Sequence, residues 1–213
     1  MAPQSSSPRQ AMRNLHPTKE ELIQTVVVLL EGTILDQITS EQVLAISGIS
    51  RGSLYHHFED FSELLELAQV RRFSEYVDKV VEVLSTEFRT CNSREDLIAR
   101  VKKTTQYFQA VELTKVRLER LTAISMVPNN PRMARALGEE QERLTETLEN
   151  LYRDTLARGW GNPQIQPRTA AVAIQALTVG RSVDDFTPNH VDQENWIHMI
   201  SLLFGNVLFP VTS

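Results

Sequence analysis

A single cysteine, Cys91, in 213 residues excludes an intramolecular disulfide, and the five histidines do not fall at zinc-ligand spacing. No stretch approaches the ~18 consecutive apolar residues of a membrane span, and Met1 to Asn14 lacks the apolar core of a secretion signal. A soluble protein of a reducing cytoplasm, with no metal site and no membrane partner, is the expectation. Paired nucleophiles and bases, metal-ligand sets and Gly-rich phosphate loops are missing too, so no catalytic residue and no cofactor is implied and the chain is not expected to be an enzyme. Alternating apolar runs with turn chemistry between them are also absent, which leaves helices. With 41% hydrophobic residues the chain is long enough to bury a real core.

Basic charge is scarce where it would matter most for a nucleic-acid binder. The net charge is -5, against 22 Lys+Arg and 27 Asp+Glu. Residues 1–70 carry only Arg9, Arg13, Lys19 and Arg51 against nine carboxylates, so the whole excess lies there. A generic polyanion binder advertises the opposite balance.

The helical signals run the length of the chain. Residues 1–16 read as a flexible arm. Thr18-Lys19-Glu20-Glu21 is a capping-box pattern that predicts a helix through Leu22, Ile23, Val26, Leu29 and Leu30, stopped at Gly32. Thr39 and Ser40 open a second helix that ends at Ser47-Gly48, and Ser50 caps a third over Arg51 to Phe58. Asp60 with Glu63 starts a long one of roughly 27 residues. Further helices are predicted from Ser93 to about Val111, from Thr114 to before Pro128, from Pro131 to Ala157 with a stop at Gly159, from Pro167 to about Val183, and from Asp192 to Phe209. The fold class is therefore all-α, with about nine helices.

The second and third helices, joined by Ser47-Gly48-Ile49-Ser50, form a helix-turn-helix, in which Gly48 supplies the left-handed conformation of a sharp turn. On a helical wheel Leu54 and Phe58 point into a core with Ile49, Val43 and Leu30. Gly52, Ser53 and His56 point away, flanked by Tyr55 and His57. Such a small, polar, donor-rich surface suits a helix entering the major groove, and Arg51 is the one long side chain able to bond a guanine bidentately. The N–H groups of Thr39, Ser40 and Ser50 at helix starts are candidate phosphate ligands. His56 and His57 diverge by about 100° on the helix, which disfavours a metal pair.

The stretch Ile38-Thr39-Ser40-Glu41-Gln42-Val43 through Gly48-Ile49-Ser50-Arg51-Gly52-Ser53-Leu54-Tyr55-His56-His57-Phe58, followed by Glu63-Leu64-Leu65, resembles the DNA-binding domain of the tetracycline-repressor (TetR) family. The resemblance covers about residues 18–68. It implies a helix-turn-helix DNA-binding domain over 17–68 and an effector-binding and dimerisation domain over 69–213. It further implies that Tyr55 and His57 hold phosphates while Arg51, Ser53 and His56 face bases. Two positions depart from the family pattern: Phe61 stands where a Lys is common, and Glu41 where a polar donor is. The implied function is a one-component transcriptional regulator, a repressor, binding a palindromic operator as a homodimer and responding to a small-molecule effector. The rival reading is an all-α ligand-binding or scaffold protein whose helix-turn-helix no longer reads DNA. Candidates for an effector pocket are Tyr107, Phe108, Leu121, Met126, Leu148, Tyr152 and Ile174, with Arg117 to anchor an acidic ligand. The last two helices carry more apolar residues than one buried stripe needs, so Ala171, Ile174, Leu177, Trp196, Ile200, Leu203, Phe204 and Val207 are expected at a dimer interface.

Overall fold

The computed structural model describes residues 15–211. These contain nine α-helices and no strand: α1 (Pro17–Leu29), α2 (Ser40–Ser47), α3 (Arg51–His57), α4 (Phe61–Arg89), α5 (Arg94–Phe108), α6 (Thr114–Ser125), α7 (Pro131–Ala157), α8 (Pro167–Gly180) and α9 (Gln193–Leu203). Short 3-10 turns occur at Leu35–Gln37, Val111–Leu113, Val127–Asn129 and Arg181–Val183, and a π-helical segment, Phe204–Leu208, follows α9. Two compact units emerge: residues up to Tyr76 with Ala123–Glu140, and Val77–Thr122 with the residues from Gln141 onward. The first unit therefore reaches past the boundary expected at residue 68 and takes in a second, distant segment. No described helix is long and apolar enough to cross a membrane.

In the first unit the apolar stripe of α1 (Leu22, Ile23, Val26) packs with Val43 of α2, Leu54 and Phe58 of α3, and Leu64 and Ala68 of α4, all buried. The start of α1 differs from the expectation. His16, not Thr18, is the N-cap: its Nδ1 accepts from the Thr18 N–H at 3.2 Å, and Pro17 occupies the first helical position. Proline loses nothing there, because that N–H has no helical partner anyway. Leu15 packs against the same core, so the last two residues of the expected arm belong to the folded unit, while the rest of it, with Arg9 and Arg13, lies outside the described residues. Gly32 keeps a negative φ, and the helix ends at Leu29, three residues before it, through ordinary turn hydrogen bonds.

Two polar links brace this unit. Arg71 of α4 grips Glu20 of α1 with two hydrogen bonds of 2.5 and 2.7 Å. Buried Glu66 of α4 accepts from Asn130 Nδ2 at 2.6 Å and from Arg132 Nε at 3.0 Å, which fastens the start of α7 onto α4.

The second unit is built around Leu97, Val101, Tyr152, Ala170, Ile200, Phe204, Leu208 and Phe209. Its C-terminal turn is held by side chains from earlier helices. Arg94 donates to the carbonyls of Gly205 and Phe209, and the Tyr152 hydroxyl donates to those of Asn162 and Leu208, each at 3.2 Å for the tyrosine. Gly159, with φ 71°, ends the run that opens at Pro131, as its left-handed preference predicts.

Candidate nucleic-acid interface

The helix-turn-helix is defined by its caps. Thr39 caps α2 with a complete capping box: its hydroxyl accepts from the Gln42 N–H at 3.3 Å, while the Gln42 side chain accepts from the Thr39 N–H at 2.9 Å. Gly48 ends α2 at φ 69°, a conformation that costs an L side chain about 1–2 kcal/mol. Ser50 then opens α3, its hydroxyl accepting from the Ser53 N–H at 3.1 Å. These fixed points set the rotation of α3. Leu54 and Phe58 are buried with Val43 and Leu30, and partly buried Ile49 packs on them, which matches the helical wheel.

That rotation leaves Arg51, Gly52, Tyr55 and His56 exposed and Ser53 and His57 half-buried. Ser50 and Thr39 are exposed at the starts of their helices and Ser40 is half-buried. The Thr39 N–H differs from expectation, because Gln42 already takes it at 2.9 Å, so it is not a free donor for a phosphate. Ser53 turns its backbone N–H into the cap and keeps only part of its side chain outward.

Two neighbours missing from the sequence-based set change the electrostatics. Glu41, from the first turn of α2, accepts a hydrogen bond from Arg51 NH2 at 2.7 Å, with both side chains well exposed at 69% and 61%. Backbone hydrogen bonding and then Arg51 hold the Glu41 carboxyl below its ordinary range. The cation expected to read a guanine therefore sits in an ion pair across the motif. The second neighbour is His16, whose ring stacks on that of His57 with centroids 4.7 Å apart; His56 meets His57 edge-on at 5.1 Å. Desolvation first, then the positive fields of His16, His56 and Lys19, keep the His57 imidazole below its ordinary pKa. The pattern His16-Pro17 was the signal available in the sequence, since a capping acceptor before proline marks a helix start. Phe61, where the family commonly has a cation, is half-buried against the core of this unit.

The other site residues fall as follows. Arg117 is not free to anchor a ligand: it is 4% exposed and bound to Asp185, also 4% exposed, through Nε and NH2, each at 2.7 Å, and it donates to the Ala110 carbonyl as well. Tyr152 fills the core and anchors the C-terminal turn, with its hydroxyl pKa pushed up by burial. Leu148 is buried, Phe108, Leu121 and Ile174 are half-buried, Tyr107 is exposed with its ring against Phe108, and Met126 belongs to the first unit. The proposed pocket residues are thus split between the units. Of the residues expected at a dimer interface, Ala171, Ile200 and Phe204 are buried within their own unit, and Ile174, Leu177 and Trp196 pack on that core. Leu203 and Val207 do face outward, and they are accompanied by Val172, Met199 and Leu202. The outward apolar face is therefore turned relative to the expected one, because the residues expected at it fill the core of their own unit.

No family model matches the chain, and no curated protein is similar to it in sequence. Solved structures are similar in fold. NemR of E. coli, in its reduced form, aligns with a TM-score of 0.66 at 17% identity over 92% of this chain and 100% of its own. A TetR-family transcriptional regulator from Cytophaga hutchinsonii aligns with a TM-score of 0.65 at 16% identity, over 94% and 100%. A TetR transcriptional regulator from Chloroflexus aurantiacus gives 0.64 at 18% identity, over 94% and 98%. The chain has the TetR-family fold. At these identities the agreement concerns the fold of the backbone and not the side chains of either unit.

Proposed function

We propose that this protein is a dimeric, one-component transcriptional regulator of the TetR type, acting as a repressor on a palindromic operator and released or recruited by a small molecule bound in its second unit. It is a DNA-binding protein rather than an enzyme. The observation that carries this reading is the rotation of α3: Leu54 and Phe58 are locked inward, so Arg51, Gly52, Tyr55 and His56 form an outward face with no core function. A side-chain set so small and rich in donors can follow the floor of a major groove, with Arg51 on a guanine and Tyr55 and His57 on the backbone. The outward apolar residues Val172, Met199, Leu202, Leu203 and Val207 on α8, α9 and the π-helical segment support a homodimer. Two recognition helices in such a dimer fit successive major grooves only at about 34–36 Å, so a displacement of a few ångströms on effector binding abolishes simultaneous contact.

The Arg51–Glu41 ion pair favours a second reading, in which the motif is retained as a fold element and no longer reads DNA. A mobility-shift assay against the DNA flanking the gene separates the two. The regulator reading expects a discrete complex that survives competition by unrelated duplex; retardation abolished equally by any duplex would support the scaffold.

A further inference from the structure

We infer that His16 and Lys19, at the start of α1, join His57 of α3 in one seat for a single backbone phosphate of duplex DNA. The inference rests on the DNA-binding reading above and extends it to residues outside the helix-turn-helix. Its basis is geometric. The His16 ring lies on the His57 ring at 4.7 Å, and His56 meets the His57 ring edge-on at 5.1 Å. Lys19, one turn into α1, holds its Nζ 4.7 Å from the centroid of the Phe58 ring, next in sequence to His57. The acid nearest this group in the hydrogen-bond network is Glu63 of α4, and it is engaged on both oxygens: Oε1 meets Lys19 at 3.5 Å and Oε2 accepts from the Glu59 N–H at 2.7 Å.

The roles of the two stacked imidazoles differ. His16 Nδ1 is used as the acceptor that caps α1, which assigns the ring proton to Nε2, leaving this exposed residue a donor for a phosphate oxygen. His57 is the titrating member. Without DNA, desolvation first and then the neighbouring His16, His56 and Lys19 disfavour the imidazolium. A phosphate monoanion placed among the same groups reverses that field and favours it. Binding then takes up about one proton in the window between the free and the bound pKa, so affinity rises as pH falls through that window, by at most about tenfold per pH unit for one proton.

Because phosphate contacts are independent of base sequence, a duplex of arbitrary sequence is a sufficient probe. Fluorescence anisotropy of the full chain with a labelled 30-base-pair duplex, at fixed ionic strength between about pH 6 and 8, measures the seat directly. His16→Asn keeps a capping acceptor and so keeps α1, while removing the ring. The expected results are tightening of several-fold or more for the parent on acidification, a flat profile for His57→Gln, and weaker binding at every pH for His16→Asn and Lys19→Gln. A parallel NMR titration of the His57 ring with the same duplex should show its pKa rising. A flat parent profile, or His16→Asn and Lys19→Gln binding as the parent does, overturns the seat and leaves the regulator reading standing. The expected pH profile together with no preference for any palindromic site overturns the regulator reading and leaves the seat standing. Failure to bind any duplex overturns both.

Discussion

Arg51, the residue proposed to read a base, is restrained by an ion pair. Its partner Glu41 is exposed, so their ion pair is easily exchanged for a guanine edge, as exposed pairs contribute little to stability. Replacing Arg51 with Ala should weaken an operator complex by about 1–3 kcal/mol and relax one position per half-site. Glu41→Gln should act in the opposite direction, releasing the guanidinium and removing a carboxylate from the DNA-facing side; anisotropy titrations of both variants on one operator check the pair of signs. Arg117 behaves quite differently, because its partner Asp185 is buried with it. Arg117→Met leaves that carboxylate without its cation and should cost about 3–5 kcal/mol in urea unfolding. Burial raises the Asp185 pKa, but hydrogen bonds and charge from Arg117 outweigh it and the net shift is downward. A depressed carboxylate contributes stability above its unfolded pKa and loses it as pH falls through the folded one. Acid unfolding of the parent should therefore include this pair below about pH 4, and Arg117→Met should flatten that limb.

The helices themselves were legible wherever a local backbone device ends them. Gly48 and Gly159 stop α2 and α7 at positive φ, Asp192 caps α9 through the Asn195 N–H at 2.9 Å, and Ser50 and Ser93 cap α3 and α5. Gly48→Ala should destabilise the protein by about 1–2 kcal/mol, with Gly48→Asn milder, since asparagine tolerates the left-handed region; urea titrations of the two variants measure the difference. The inward face of α3 was equally legible, because helical periodicity fixes which residues share a side. The misreadings came where tertiary partners decide. The start of α1 depended on His16, whose capping role competes with an equally plausible Thr18. The faces of α8 and α9 depended on which of two apolar stripes meets α5 and α7, and a sequence with apolar residues on both sides leaves that choice to packing. Arg117 looked available only because Asp185 lies far along the chain.

Taken as a molecule, the chain combines the TetR-family fold with an acidic first part. The net charge of the first 70 residues equals that of the whole chain, so on the proposed reading long-range attraction to DNA would be weak and binding would rely on neutral donors, on Arg51 and on the cluster around His57. The proposed dimer would supply the rest, since two half-sites held in register multiply a modest single contact. Leu203→Glu and Val207→Glu should give monomers by sedimentation while leaving helix content unchanged, because both side chains are exposed in the protomer, at 37% and 44%. The most direct test of the account is selection of bound sequences from a random duplex pool by the parent and by Arg51→Ala. Enrichment of a two-fold symmetric motif with half-sites about one helical turn, or a multiple of it, apart, and loss of one position per half-site in the variant, is the predicted result. A pool that yields no motif, or the same motif from both proteins, would contradict it.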